Sequence, residues 1–166
     1  YYQRALDLSP ASAARWPLLQ LSANYYNLPY SMKGSNAGDV VVFGSGMGND
    51  LAAALRNGAQ HVDAIEIDPC ILAFGKAYHP EKPYDDPRVT CVNDDARAYL
   101  RRSKKQYDMV VFGLLDSHTI SSHASSVRID SYVYTLQSFK EARSHLKDGG
   151  VLSLSFSMPS PRMIKK

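Results

Sequence analysis

The chain is poor in the features that mark several protein classes. It has only two cysteines and one tryptophan in 166 residues, and its formal net charge is just +3. Cys70 and Cys91 stand alone, with no Cys-x-x-Cys spacing, so they read as reduced, structural thiols of an intracellular protein. The small net charge argues against nucleic acid as a partner. The densest basic run, Arg101-Arg102-Ser103-Lys104-Lys105, sits between a helix and a strand, where cations suit a solvated helix end. No apolar run approaches a membrane span, no signal peptide is visible, and there is no internal repeat or low-complexity segment. His118 and His123 lie in a Ser-rich loop with no third ligand near them, so no metal is expected. The expected compartment is the cytoplasm. The chain opens with Tyr1 rather than methionine, which marks it as a processed, excised or incomplete product, and the soluble part of a membrane-associated protein is the alternative.

What is present is a regular alternation. The length suits one domain with a sizeable core. Strands are predicted near 39–43, 61–67, 88–93, 107–112 and 150–156, and helices near 48–57, 69–77, 95–103 and 131–147. Val40-Val-Val-Phe43, Met109-Val-Val-Phe112 and Val151-Leu-Ser-Leu-Ser-Phe156 read as strands covered on both faces, as in a parallel sheet. Ser9-Pro10 predicts a helix start, with that helix running to about Asn24 and Leu18, Leu19, Leu21, Tyr25 and Tyr26 on its apolar face. Pro29 to Gly38 reads as a linker, and Gly149-Gly150 as the end of the last helix. The fold class is α/β, a doubly wound, mostly parallel Rossmann-like sheet that stops after its fifth strand. Its divisions are an N-terminal helix and linker (1–38), the ligand-binding domain (39–157) and a basic tail (158–166). The apolar fifth strand is expected to be covered by a partner subunit, as in a homo-oligomer, or by further sequence of a larger chain.

In such sheets ligands bind beyond the carboxyl ends of the strands. There the sequence places Gly44-Ser45-Gly46-Met47-Gly48, a glycine turn between a strand and a helix, and Glu66 about 20 residues on, where a carboxylate grips ribose hydroxyls. The third glycine arrives one residue earlier than in G-x-G-x-x-G, and Asn49-Asp50 follows. An acidic residue in the first helical turn disfavours a pyrophosphate and tolerates a ligand with positive charge. Asp68-Pro69 reads as a helix cap. Of Asp94 and Asp95, one can cap the next helix while the other accepts from an exocyclic amine, and Asp95 is favoured for that contact.

From Asp39 to about Phe156 the chain resembles the spermidine synthases, within the class I S-adenosylmethionine-dependent methyltransferase fold. The resemblance rests on Val-Val-Val-Phe-Gly-Ser-Gly-Met-Gly, Val62-Asp-Ala-Ile-Glu-Ile-Asp-Pro69, Asp86-Pro-Arg-Val89, Asp94-Asp95-Ala96-Arg97-Ala98-Tyr99-Leu100, Tyr107-Asp-Met-Val-Val111, Tyr134-Thr135 and Leu146-Lys-Asp-Gly-Gly-Val-Leu152. It implies that Glu66, with Ile67 beside it, holds the ribose, that Asp94, Asp95 and Ala96 meet the adenine, and that Gly44 to Gly48 and Gly113 face the arm of a sulfonium ligand. That ligand is S-adenosylmethionine or its decarboxylated form.

Two departures accompany the resemblance. Where the family keeps an aspartate in the glycine loop, this chain has Met47. Where the family's fourth strand ends in Asp-Ser-Ser-Asp, whose first aspartate deprotonates the attacking amine, this chain reads Gly113-Leu114-Leu115-Asp116. Asp116 is then the candidate catalytic carboxylate, with Ser117, His118 and Tyr134 as substrate contacts and a small-molecule acceptor such as an amine. These departures favour methyl transfer over aminopropyl transfer. Aminopropyl transfer to a polyamine and a non-catalytic adenosyl-binding domain are the alternatives.

Overall fold

The computed structural model describes residues 4–34, 36–115 and 133–155. Its centre is a five-stranded sheet, β1 (Gly38–Phe43), β2 (Ala59–Glu66), β3 (Val89–Asn93), β4 (Tyr107–Phe112) and β5 (Leu146–Leu154), in the order β3-β2-β1-β4-β5. Every pairing is parallel. The helices are α1 (Pro10–Arg15), α2 (Pro17–Lys33), α3 (Asn49–Arg56), α4 (Pro69–Tyr78), α5 (Ala96–Arg102) and α6 (Leu136–Ser144).

The period of two along β1 builds two cores. Val40 and Val42 pack with Leu51, Ala54, Val62, Leu72 and Met109 on one side. Val41 and Phe43 pack with Ile65, Leu100, Val110, Phe112 and Ala142 on the other. All four β1 side chains are fully buried, which explains the unbroken apolar run: a strand covered on both faces has no polar side. Because the chain winds outward from β1 to β3 and then returns to place β4 on its other side, the switch point falls between β1 and β4. Ligand clefts in open α/β sheets form at that point.

The N-terminal region differs from its expected form. Trp16, extended between two prolyl-initiated segments, divides the expected single helix into α1 and α2. The expected linker from Pro29 is instead helical to Lys33, with Gly34 at φ 103° closing it. An interior proline costs a helix about 3 kcal/mol, but Tyr30, at 2% exposure, anchors this turn in the core beside α3. The apolar face of α2 also divides. Leu19 and Tyr26 pack toward Leu8 and Ala23, whereas Leu18, Leu21 and Tyr25 are exposed.

At the far end of the chain, Gly149-Gly150 does not end a helix. Thr135 caps α6, which stops at Ser144, and both glycines lie within β5. Tyr107 pairs with Leu146 but Met109 pairs with Val151, so residues 147–150 bulge out of the ladder. Gly149 takes φ 72° there, which suits a bulge residue.

Midway along β2, opposite Val41 of β1, Asp63 is fully buried. It accepts from Tyr107 Oη (2.8 Å), Tyr99 Oη (3.1 Å) and Lys105 Nζ (2.8 Å). Burial works against its charge, but the bonds from Lys105, Tyr107 and His61 outweigh it and hold the carboxyl below its ordinary range. Apart from His61, two positions away, its partners Tyr99, Lys105 and Tyr107 lie some 40 positions on, so the local sequence does not mark its role.

Candidate adenosyl-binding site

The expected ligand-facing segments come together at the carboxyl ends of β1, β2, β3 and β4. Phe43 pairs with Ile65 and with Phe112, and Glu66 pairs with Asn93. Beyond them, the N–H groups of Gly44 and Ser45 both donate to Ile65 O (2.9 and 3.0 Å), and Gly113 N–H donates to Phe43 O (2.9 Å). Gly44, Gly46 and Gly48 all have positive φ (69°, 53° and 104°), a backbone path that other residues adopt only under strain. That conformational demand is the physical basis of the alternating glycines.

Glu66 is only 6% exposed. One carboxylate oxygen accepts from Gly46 N–H (2.8 Å) and the other from Asp68 N–H (3.0 Å). The residue assigned to ribose therefore also braces the glycine loop. A carboxylate has about four acceptor positions, so two remain for hydroxyl donors. Ile67, next to it, is 54% exposed and offers an apolar surface at the mouth of the cleft.

Asp95 caps α5 through Ala98 N–H (2.9 Å). Its other oxygen makes no hydrogen bond among the described residues and is free for a donor. Asp94 accepts from Asp95 N–H (2.9 Å) and pairs with Arg102. The capping role thus falls on Asp95, the residue favoured for the amine contact, and Asp94 is held by a cation. Ala96 is buried at the start of α5. Asp68 caps α4 through Cys70 and Ile71, as expected.

Other expected contacts sit differently. Ser45 is 2% exposed, with its hydroxyl 3.0 Å from Tyr84 Oη, so its side chain is part of the loop's underpinning. Met47 is partly buried in the loop. Tyr134 Oη lies 3.2 Å from Ser155 O and 3.5 Å from Gly113 O, joining the ends of β5 and β4. Asp116, Ser117 and His118 lie outside the described residues, as does His123. No group of three or more potential metal ligands occurs among the described residues.

Four further residues belong to this site, of which only Asp50 had been given a part, through its charge beside the glycine loop. Tyr84, in a short turn (Pro83–Asp85), donates from its hydroxyl to Gly46 O (2.7 Å), which supports the loop opposite Glu66. Burial raises its phenol well above the ordinary range. Asn49 accepts from Leu6 N–H (2.9 Å) and donates to Arg4 O (2.8 Å), tying the N-terminal segment to the loop. His79 is fully buried; its Nδ1 accepts from Glu81 N–H (3.1 Å), so Nε2 carries the proton and faces Asn49 Oδ1 (3.2 Å). Burial holds the His79 ring below its ordinary pKa. The fourth is Asp50, second in α3. Its Oδ2 stands 3.3 Å from where a Cβ on Gly113 would be. Burial pushes its carboxyl up to about 7. Only the pair Asn49-Asp50 after the third glycine signalled either residue in the sequence.

A Spermine/spermidine synthase domain matches residues 26–160. The chain belongs to this family. Among curated proteins, the polyamine aminopropyltransferase of Korarchaeum cryptofilum (strain OPF8) is 28% identical over 120 residues, covering 70% of this chain and 35% of that protein. This chain thus spans about a third of the length of that relative. Among solved structures, a spermidine synthase has a TM-score of 0.59 at 18% identity, covering 78% of this chain and 42% of that one. DhpI has a TM-score of 0.57 at 20% identity, covering 93% and 65%. At these identities the two structures establish the fold alone, an α/β sheet shared with methyltransferases. The sequence relatives favour the aminopropyltransferase alternative over methyl transfer, which is supported only by likeness of fold. No helix among the described residues is long and apolar enough to cross a membrane.

Proposed function

We propose that the chain is the adenosyl-sulfonium-binding part of an aminopropyltransferase, moving an aminopropyl group from decarboxylated S-adenosylmethionine to a polyamine-type acceptor. The observation that carries this reading is the glycine loop held between Glu66 and Tyr84 at the β1/β4 switch point, in a chain of the spermine/spermidine synthase family. The solved relatives add support: the spermidine synthase is described in complex with the transition state analogue AdoDATO, and DhpI with S-adenosylmethionine.

The residues suit such a ligand. Glu66 keeps acceptor positions for ribose hydroxyls, and the second oxygen of Asp95 is open to an adenine amine. The carboxylates of Asp50 and Glu66 around the loop disfavour pyrophosphate and suit a cation. Once bound, the sulfonium supplies a leaving group that departs as a neutral thioether. The protein's task is then to hold donor and acceptor in line, a contribution worth several kcal/mol. Methyl transfer from intact S-adenosylmethionine is the second reading, favoured by Met47, which places no carboxylate in the loop to select the decarboxylated arm.

Calorimetric titration with both sulfonium forms tests the choice. Tighter binding of the decarboxylated form is expected. Preference for S-adenosylmethionine transfers the reading to methyl transfer, and the absence of binding by either form refutes both. Glu66→Gln should weaken either ligand about tenfold or more, because a charged acceptor and a loop brace are lost together.

A further inference from the structure

We infer that Asp50 is the proton-accepting carboxylate for the attacking amine, delivered from the first turn of α3 into the gap beside Gly113. The inference rests on the aminopropyl-transfer reading above and assigns its general base.

Three observations carry it. The first is position: Asp50 Oδ2 lies against Gly113, the first residue beyond β4, at the β1/β4 switch point. The second is space. A Cβ on Gly113 would stand 2.9 Å from Gly44 O and 3.3 Å from Asp50 Oδ2. The glycine backbone leaves that volume to the carboxylate, and a side chain at 113 would compete for it. The third is the lack of a partner. No group of another described residue donates a hydrogen bond to this carboxylate, and no described cation pairs with it. The charges and titrating groups near it are phenols: Tyr26 and Tyr30 on α2 and Tyr84 in the turn before β3 all experience its charge. A partly buried carboxylate left unpaired is costly, and an ammonium ligand relieves that cost.

Burial, only partly offset by a hydrogen bond from its own backbone N–H, raises the carboxyl pKa of this group to about 7. That is near the operating range that suits a general base. In the step proposed, the acceptor arrives as an ammonium and passes one proton to Asp50. The freed amine lone pair attacks the carbon next to the sulfonium, so that an N–C bond forms as the C–S bond breaks. The bonding pair goes to sulfur, which leaves as a neutral thioether. The new secondary ammonium keeps its two protons, and Asp50 returns its proton to solvent.

The test compares the chain with its Asp50→Asn variant, each first titrated with decarboxylated S-adenosylmethionine and with 5′-methylthioadenosine. Each is then saturated with 5′-methylthioadenosine and titrated with 1,4-diaminobutane and spermidine. The expected result is 5′-methylthioadenosine affinity unchanged within about threefold, with amine affinity reduced at least tenfold. In turnover, a loss of about 100-fold or more should accompany disappearance of the ascending limb near pH 7 from the profile of kcat/KM. Carboxyl-carbon NMR of the unsubstituted chain should show the Asp50 pKa falling when the diamine binds. Amine affinity and pH profile unchanged in the variant would overturn the assignment. So would loss of sulfonium affinity with amine binding intact, which would place Asp50 on the donor's arm. Failure of the unsubstituted chain to bind any adenosyl compound removes the underlying reading as well. Binding of adenosyl compounds without any amine defeats this inference alone.

Discussion

In the Asp50→Asn variant, a carboxyl that burial pushes up to about 7 is replaced by a neutral group of nearly the same shape. The consequence for stability has a definite sign. In the unfolded chain this aspartate titrates at its ordinary value near 3.8, whereas in the folded chain it titrates near 7. Between those values the folded state holds a proton that the unfolded state has released, so stability falls as pH rises through that window. Above pH 7 the full penalty of the buried charge is present, and below pH 4 it is absent. Each tenfold change in proton affinity is worth about 1.4 kcal/mol, giving about 4 kcal/mol.

Residual access of water reduces the realised figure to about 2–4 kcal/mol. A charged residue in the first turn of a helix also gains about 0.3–1 kcal/mol from the dipole, too little to reverse the sign. Asp50→Asn should therefore match the parent near pH 4 and exceed it by about 2–4 kcal/mol at pH 8. In urea that is a midpoint shift of about 1–2 M, since slopes for small proteins are about 1–3 kcal/mol per molar. Paired urea titrations at pH 4, 6 and 8 check this, and taking the difference between variant and parent cancels the contributions common to both. Equal midpoints at pH 8, or a variant less stable than the parent there, would refute the view that Asp50 is a partly buried charge with no partner among the described residues.

Tyr84→Phe should cost about 1–3 kcal/mol, because Gly46 O and the Ser45 hydroxyl lose their buried partner; urea unfolding measures it, and an adenosyl ligand should bind more weakly as the loop loosens. Asp63→Asn should destabilise by about 1–3 kcal/mol at neutral pH, a range held down because Lys105 is half exposed and screened. Since bonding holds the Asp63 carboxyl below its ordinary range, that stabilisation is present above about pH 4 and lost as pH falls further. The difference between variant and parent should accordingly shrink by pH 3 in thermal melts, and a constant difference would count against an ionised Asp63.

The strands were legible because a sheet covered on both faces leaves continuous apolar runs, as Val40 to Phe43 and Met109 to Phe112 show. The caps at Ser9 and Asp68 were legible because a local side chain meets a local N–H, whereas the cap on α5 fell to Asp95, the member of its pair favoured for the amine contact. Elements decided by distant packing were not. Pro29 signals a break, yet Tyr30 inserted beside α3 holds the helix through it. Gly149-Gly150 signals a helix end, yet the ladder to β4 takes both glycines into a bulged strand. Within the site, the spacing from the glycine loop marked Glu66, but a hydrogen bond from Gly46 N–H is a three-dimensional fact. Tyr84 and Asp63 acquire their roles from partners roughly 40 residues away, and no local pattern encodes that.

Read singly, Gly113 and Met47 each subtract a carboxylate and count against chemistry on an amine. Gly113 and Asp50 gain a different meaning as a pair. An aspartate side chain at 113 would force its Cβ to within 2.9 Å of Gly44 O and crowd the existing Oδ2 of Asp50, and two carboxylates in that space would repel unless they shared a proton. The site thus has room for one carboxylate beside β4, and the chain supplies it from α3. The origin matters mechanically. A side chain on the first turn of a helix whose start is tied to Arg4, Leu6 and His79 through Asn49 has firmer support than one on the segment after β4. Introducing Gly113→Asp into the Asp50→Asn background separates the two arrangements: restored amine affinity would mean that charge at the gap suffices, whereas no recovery would mean that the direction of approach from α3 is itself required.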